Sequence, residues 1–173
     1  VQGGHPENIR RVADSIRKEL NPHPGGQLTD NKVTLDGEIV PGVQHKYTET
    51  CLVFPAVSQT CHSYCSYCFR WAQFVGDADL RFATDKSMRY VEYLRQHQVI
   101  SDVFFTGGDP MFSPAAVLSR YLEPLLGSDF DHIQTIRIGS KSLSYWPYRF
   151  LTDSAADAML GLFERVVPSG KHL

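Results

Sequence analysis

The order of apolar runs and helical patterns after residue 50 constrains the fold more than any other feature. Three short apolar runs, "CLVFPAV", "SDVFFTGGDP" and "IQTIRIGS", begin at residues 51, 101 and 133. Each run is followed by a stretch in which apolar residues recur with helical spacing, at about 84–98, 113–125 and 153–166. Strands that alternate with helices in this way predict a parallel sheet with crossover helices. The fold class is therefore α/β, and the sheet is either a piece of a (β/α) barrel or a short open sheet.

Local signals predict where these elements begin and end. Ser113 and Pro114 are typical of a helix start, with the hydroxyl as N-cap and the proline in the first turn. Asp153 or Ser154 is the predicted cap of the last helix. Pro55 interrupts the first apolar run, although proline cannot donate a hydrogen bond to a β-ladder.

The first 43 residues are predicted to form a separate arm. Apolar residues keep helical spacing from His5 to Leu20, and "NPHPGG" then ends the helix. Asp36 and Gly37 stand between two short β-prone runs and predict a hairpin, whereas the following "PGVQHKYTET" shows no periodicity. We therefore expect an N-terminal helical arm at residues 1–43 and a core domain at residues 44–173, with the chain cut from a longer protein at both ends.

The composition excludes several classes of partner. Seventeen Lys and Arg residues against nineteen Asp and Glu residues leave a net charge of −2, and no basic block indicates nucleic-acid binding. The sequence has no apolar run of membrane-spanning length and no signal peptide at its start. We therefore expect a cytoplasmic protein that binds a small molecule and neither nucleic acid nor a membrane.

The segment "CHSYCSYCFR" holds three of the four cysteines, Cys61, Cys65 and Cys68. Disulfides are rare in a reducing compartment, and three thiols cannot all pair with each other, so metal binding is the leading interpretation. A structural zinc site needs four ligands, and an electron-transfer 4Fe–4S cluster needs four cysteines. Both remain alternatives.

Cys51 is the only candidate for a fourth thiol ligand. It opens the apolar strand whose other end leads into the cysteine segment, so we expect a strand length to separate it from the other three thiols. We interpret Cys51 as a core residue. Three thiolates could then hold three corners of an iron–sulfur cube and leave one iron open, and an open metal position is characteristic of catalytic sites.

A second motif, Gly107-Gly108-Asp109-Pro110, follows the second strand. Glycines allow a close approach of the backbone to a ligand, and a carboxylate suits an ammonium group. Alone, this motif would be an ordinary turn. Ligands of parallel α/β folds bind at the carboxyl ends of the strands, however, and both this turn and the cysteine segment are predicted to lie there.

CxxxCxxC directly after a strand, with Tyr67 before the last cysteine, resembles the radical S-adenosylmethionine (SAM) enzymes. The resemblance implies a partial (β/α) TIM-like barrel of the radical SAM type, of which this chain is an incomplete fragment. It also implies a 4Fe–4S cluster on Cys61, Cys65 and Cys68, with SAM bound to the open iron and cleaved to a 5′-deoxyadenosyl radical. By the same resemblance Gly107, Gly108 and Asp109 would hold SAM, with Tyr67 beside its adenine.

Within that superfamily, "YCFR", "TGGDP" and "RIGS" look most like the lysine 2,3-aminomutase group, whose members use SAM and pyridoxal phosphate (PLP). The resemblance implies that Arg70 binds the substrate carboxylate, which a guanidinium fork fits well. Ser140, at the end of the third strand, could reach SAM. The chain departs from the group at Trp71, where a second arginine is common, and at "TETCL", which lacks a basic residue near the expected PLP phosphate.

These observations predict a radical SAM enzyme that acts on an amino acid and receives electrons from a donor such as flavodoxin or ferredoxin. The use of PLP is implied by the resemblance alone, because the PLP lysine of the group lies beyond residue 173. Lys171 is not expected to be that lysine. Three alternatives stay open: a radical SAM enzyme without PLP, an iron–sulfur electron carrier and a zinc-stabilised binding module. We expect the isolated 173-residue chain to be inactive.

Overall fold

The computed structural model describes residues 4–20, 25–63, 65–68, 70–74, 80–85 and 87–173. Among these residues, no helix is both long enough and apolar enough to cross a membrane. The predicted end of the first helix in "NPHPGG" falls largely on residues 21–24, outside the described part of the chain.

One five-stranded mixed sheet organises the fold, with its strands in chain order. The strands are β1 (Lys32–Leu35), β2 (Glu38–Tyr47), β3 (Thr50–Val53), β4 (Asp102–Phe105) and β5 (Thr135–Ile138). β1 pairs antiparallel with β2, and β2 pairs antiparallel with β3. β3, β4 and β5 are parallel to one another. The sheet is open, and a partial barrel is compatible with it.

Six α-helices accompany the sheet in the described part of the chain: α1 (Pro6–Leu20), α2 (Ser87–Gln96), α3 (Ala115–Leu122), α4 (Ser142–Tyr145), α5 (Tyr148–Leu151) and α6 (Ala156–Glu164). The predicted alternation of parallel strands and helices is therefore confirmed. The predicted hairpin is confirmed as well: Asp36 and Gly37 both have positive φ (54° and 78°), as a tight two-residue turn requires.

Four local predictions are corrected by the structure. The stretch "PGVQHKYTET" does not lack regular structure, because β2 continues to Tyr47, held by pairing with β3. β3 ends at Val53, so Pro55 lies outside the strand. α3 begins at Ala115, one residue later than predicted, and the carbonyl of Pro114 accepts its first hydrogen bonds. The N-cap of α6 is Ala155 rather than Asp153 or Ser154. In addition, the short helices α4 and α5 were not predicted.

The hydrophobic core lies on one face of the parallel strands. Cys51, Val53, Val103 and Phe105 alternate along β3 and β4 and pack in a cluster with residues of α2, α3 and α6. Cys51 is fully buried there, which confirms its interpretation as a core residue. The alternate positions face the other side of the sheet, which carries no helix of this cluster.

β2 runs across the predicted boundary between residues 43 and 44. The hairpin of β1 and β2 therefore belongs to the same sheet as the parallel strands, and its residues Val33, Leu35, Val40 and Val43 join the same core. A sheet shared in this way brings the loop before β1 close to β3, where the candidate site begins.

Candidate functional site

The cysteine segment begins shortly after β3, at the carboxyl end of the parallel strands. A short 3₁₀ turn (Ala56–Ser58) leads from β3 into residues 59–61. Cys61, Cys65 and Cys68 are all partly exposed. Their position is the one that the order of strands predicts, because carboxyl ends of parallel strands share one edge of the sheet.

The glycine turn after β4 packs directly against the start of the cysteine segment. The amide of Asp109 donates to the carbonyls of Ser58 (3.0 Å) and Thr60 (2.6 Å). A Cβ atom on Gly108 would lie 2.1 Å from the Thr60 carbonyl oxygen, and Gly107 has a φ of +135°. Glycine is required at both positions, at Gly108 for close approach and at Gly107 for backbone conformation. The two motifs therefore form one structural unit.

The carboxylate of Asp109 connects this turn to the end of β5. Its side chain is almost fully buried. Oδ1 accepts hydrogen bonds from the amide of Met111 (3.0 Å) and the hydroxyl of Ser140 (2.7 Å), and Oδ2 accepts one from the amide of Lys141 (2.8 Å). Nε2 of His62, in the cysteine segment, lies 3.5 Å from Oδ2 without forming a hydrogen bond. One carboxylate thus joins the ends of two strands beside the cysteine segment.

The three thiols experience different environments within the segment. Burial raises the pKa of Cys61 and of Cys68. The pKa of Cys65 is lowered, first by its hydrogen bond with Ser63 (3.0 Å) and then by one with Tyr67. The thiolate is the form that binds metal. Of the three cysteines, Cys65 is therefore the one that most readily provides a thiolate.

Tyr67 and Lys141 lie beside Cys65 on the solvent side. Tyr67 is 74% exposed, so its ring is accessible. A hydrogen bond with Tyr67 is the main cause of the raised pKa of Lys141, followed by the charges of Tyr67 and Cys65. Sequence reasoning did not identify Lys141 or His62; the only available signal for Lys141 was its position directly after "RIGS" at a strand end.

Arg70 lies over the face of β3 that is opposite the hydrophobic core and the helices α2, α3 and α6. Its guanidinium stacks on Phe54, 4.1 Å from the ring centroid, and donates to Oε1 of Gln44 (2.7 Å). Burial lowers the pKa of Arg70 to about 10. Nε2 of Gln44 donates in turn to the carbonyls of Gln27 and Asp30, each at 3.2 Å. The loop before β1 therefore helps to fix Arg70.

Arg70 lines a cavity of about 250 Å³ between this loop and the strands β2 and β3. A second cation, Lys46, and the amides of Gln27, Asn31 and Gln44 also line it, together with the carboxylate of Asp30. A cavity of this lining can hold a small polar molecule that carries a carboxylate. Gln44 and Lys46 were not predicted as site residues, because β2 itself was not recognised beyond residue 40.

Three cysteine thiols within residues 61–68 are a donor set of the type that iron–sulfur clusters use. Within the described residues, no group of three His, Cys, Asp or Glu side chains is placed to hold one metal ion. Cys51 cannot supply a fourth thiolate, because it is fully buried in the core and burial raises its pKa to about 12.

Several curated proteins with sequences similar to this chain are aminomutases by name. A protein of Aquifex aeolicus described as "Putative L-lysine 2,3-aminomutase" is 39% identical over 125 residues, which cover 72% of this chain and 31% of that protein. The L-lysine 2,3-aminomutase of Acetoanaerobium sticklandii is 28% identical over 148 residues, 82% of this chain and 34% of that enzyme. A glutamate 2,3-aminomutase of Clostridioides difficile is 29% identical over 99 residues, 56% of this chain and 22% of that enzyme.

The chain spans about a third of the length of the first two relatives. A scan against models of known protein families finds no match. The names of the relatives support the resemblance to the lysine 2,3-aminomutase group.

Proposed function

We propose that this chain is the cluster-binding and SAM-binding part of a radical SAM enzyme that acts on an amino acid in the manner of lysine 2,3-aminomutase. One observation carries the proposal. The amide of Asp109 and the missing side chain of Gly108 hold the glycine turn against Ser58 and Thr60, at the entry of the cysteine segment. Two motifs that are separate in sequence therefore form one site.

Cys61, Cys65 and Cys68 would hold a 4Fe–4S cluster. When reduced, such a cluster would supply the electron that cleaves bound SAM to methionine and a 5′-deoxyadenosyl radical. The lowered pKa of Cys65 favours the thiolate that such a cluster needs. The burial of Cys51 in the core supports a set of three ligands and argues against a four-cysteine electron carrier.

The glycine turn and its neighbours would hold SAM. Among the described residues, no group donates a hydrogen bond to the carbonyl oxygens of Gly107 and Gly108. Carbonyl oxygens of this kind suit the ammonium group of SAM. The exposed ring of Tyr67 is available to stack on the adenine, and Ser140 and Asp109 complete this side of the site.

Arg70 would anchor the carboxylate of the amino-acid substrate. Its guanidinium is held by Phe54 and Gln44 at the wall of the 250 Å³ cavity, so little conformational entropy would be lost on binding. Lys46 adds positive charge to the same cavity. No described residue is assigned to PLP, whose use rests on the resemblance alone.

We further propose that the sheet is the first part of a partial (β/α) barrel. β3, β4 and β5 are parallel, and His172 continues the pattern beside β5, with a hydrogen bond from the amide of Ile136 to its carbonyl. In such a barrel the face of the sheet opposite the hydrophobic core, on which Arg70 lies, would face the interior. The enzyme would be cytoplasmic and reduced by flavodoxin or ferredoxin.

The test is anaerobic reconstitution of the full-length protein that contains this segment, followed by measurement of 5′-deoxyadenosine after addition of SAM and dithionite. We expect deoxyadenosine to form, and iron and sulfide to be lost in Cys61→Ala, Cys65→Ala and Cys68→Ala. Cys51→Ala is the matched control and should retain the cluster. Zinc without sulfide, or a cluster that yields no deoxyadenosine, would refute the proposal.

The role of Arg70 needs a separate experiment. We expect Arg70→Lys to bind SAM normally but to raise the KM for a lysine or glutamate substrate at least tenfold, because an ammonium cannot replace a bidentate fork. Arg120→Lys, at an exposed position of α3, is the control and should leave KM unchanged. An unchanged KM in Arg70→Lys would remove Arg70 from the substrate site.

A further inference from the structure

The sulfur atoms of the three cysteines in residues 61–68 differ in the kind of group that forms hydrogen bonds with them. The amide of Ser63 donates to Sγ of Cys61, at 3.4 Å. The amides of Arg70 and Trp71 donate to Sγ of Cys68. These donors belong to the backbone, so almost any sequence in the same conformation would provide them.

Cys65 is different, because its hydrogen-bond partners in the described part of the chain are side chains. Oγ of Ser63 lies 3.0 Å from Sγ of Cys65, and the side chain of Tyr67 forms a second hydrogen bond with the same sulfur. Lys141, just after β5, is hydrogen-bonded to Tyr67 and brings a positive charge towards Cys65. The hydrogen bonds of Cys65 therefore depend on which residues the sequence places around it.

The direction of the bond between Ser63 and Cys65 follows from the chemistry of a metal ligand. A cysteine binds a metal as the thiolate, which carries no proton, whereas a hydroxyl group has one proton to donate. With a metal bound, the hydroxyl of Ser63 must be the donor and Sγ of Cys65 the acceptor. Only 5% of Ser63 is exposed, so this bond lies in a low-dielectric environment, where it is electrostatically stronger than in water.

A hydrogen bond to a ligand sulfur changes how readily a bound iron–sulfur cluster accepts an electron. Reduction adds one electron, and therefore one negative charge, to the cluster and its thiolates. A donor that faces a ligand sulfur stabilises the added charge, so it favours the reduced form and raises the reduction potential. The positive charge of Lys141 acts in the same direction, because opposite charges attract.

We infer that Ser63 and Tyr67 are positioning residues of the proposed cluster: their hydroxyl groups donate to Sγ of Cys65 and raise the reduction potential above the value that the three cysteines alone would give. This inference rests on the proposed function, because it assumes the cluster on Cys61, Cys65 and Cys68. It concerns how easily the cluster is reduced, not whether the cluster binds. A higher potential would make reduction by the proposed electron donor more favourable.

The experiment is a redox titration of the full-length protein that contains this segment, reconstituted anaerobically and kept without SAM. Dithionite reduces the cluster stepwise, and the electron paramagnetic resonance signal of the reduced form is followed against the measured potential. We expect Ser63→Ala to lower the equilibrium constant for reduction about tenfold, which for a one-electron couple is a shift of about 59 mV to lower potential.

Ser169→Ala is the matched control for Ser63→Ala. It removes a part-buried hydroxyl whose acceptor is the carbonyl of Val166, at 2.6 Å, and not a sulfur. Its potential should equal that of wild type. A shift in Ser169→Ala as large as that in Ser63→Ala would overturn the inference, because the effect would then not depend on a donor to Cys65.

Tyr67→Phe is the second variant and removes only the phenolic oxygen. Because 74% of Tyr67 is exposed, this loss leaves the fold in place. The potential should shift in the same direction as in Ser63→Ala, and Tyr67→Phe decides the matter if Ser63→Ala assembles no cluster. An equilibrium constant within about twofold of wild type in every variant that assembles a cluster would overturn the inference.

The outcomes also separate this inference from the proposed function. A wild type that assembles no 4Fe–4S cluster would refute the proposed function and this inference with it. A wild type that forms deoxyadenosine, with a potential that responds to neither substitution, would refute the inference alone. Lower potentials in Ser63→Ala and Tyr67→Phe, with no deoxyadenosine from wild type, would support the inference and refute the proposed radical chemistry.

Discussion

The substitution Gly108→Ala tests the close contact that unites the two motifs. The added methyl carbon would lie 2.1 Å from the carbonyl oxygen of Thr60 and 2.5 Å from both the carbonyl oxygen of Ser58 and the amide nitrogen of Thr60. Comfortable separations for such atoms are about 3.5 Å, so the backbone of residues 58–60 must retreat by about 1 Å or more. All three obstructing atoms belong to the backbone, which cannot rotate away as a side chain would.

The expected loss of stability in Gly108→Ala has two contributions. Overpacking of this kind costs about 1–3 kcal/mol. Retreat of residues 58–60 also breaks the bifurcated hydrogen bond that the single N–H of Asp109 donates to the two carbonyls, at about 0.5–1.5 kcal/mol. The sum, about 1.5–4.5 kcal/mol, corresponds to a fall in Tm of roughly 3–18 °C for a chain of this size. Because the same residues lead into Cys61, the amount of iron bound per chain should fall as well.

The assay is thermal unfolding followed by circular dichroism, with iron and sulfide measured after anaerobic reconstitution. Gly161→Ala is the matched control, since a Cβ atom at Gly161 in α6 meets nothing within 4 Å. An alanine in a helix interior should leave the stability unchanged or raise it by up to about 1 kcal/mol. If Gly108→Ala unfolded within a degree of wild type and bound a full cluster, the contact between the two motifs would be refuted.

Three further substitutions test the surroundings of the site by urea unfolding. Burial raises the pKa of Cys51 from 9.0 to about 12, so the folded chain keeps this proton above pH 9 while the unfolded chain releases it. The free energy of unfolding should therefore fall between pH 9 and pH 12 by about 1.4 kcal/mol per unit more in wild type than in Cys51→Ala; equal slopes would contradict the burial of Cys51. Gln44→Leu should lower the free energy of unfolding by about 2–4 kcal/mol, because Arg70 and two backbone carbonyls each lose a partner. Lys171→Met should cost about 2–4 kcal/mol, since its Nζ donates to two backbone carbonyls at 2.7 Å, and a cost below 0.5 kcal/mol would argue against this structural role.

Much of the fold was predictable because it depends on local patterns. The apolar runs that became β3, β4 and β5 and the helical spacing of α2, α3 and α6 are each visible within a short window of sequence. The direction of the strands follows from their alternation with helices. The Asp36-Gly37 hairpin was predictable for a related reason, since few residue pairs accept positive φ at both positions.

The extent of β2 was not predictable from such windows. Its second half, "GVQHKY", has no apolar alternation, and it is a strand because β3 pairs with it. Recognition of Gln44 as the partner of Arg70 depends on this pairing, which places Gln44 opposite Leu52 on the face where Arg70 lies. Pairing between distant segments leaves no local signature in the sequence.

The sequence by itself determined the positions of the three cysteines and the glycine turn of the candidate site. The spacing of the cysteines and the two adjacent glycines are visible within short stretches of the sequence. The order of the strands was sufficient to predict that both motifs lie at one edge of the sheet. Only the tertiary structure decided how those groups are used. It buries Cys51 in the core, fixes Arg70 with Gln44 and Phe54, and gives the carboxylate of Asp109 three hydrogen-bond donors. The physical reason is that hydrogen-bond saturation and burial are set by neighbours distant in the chain, so they become defined only when the strands have assembled.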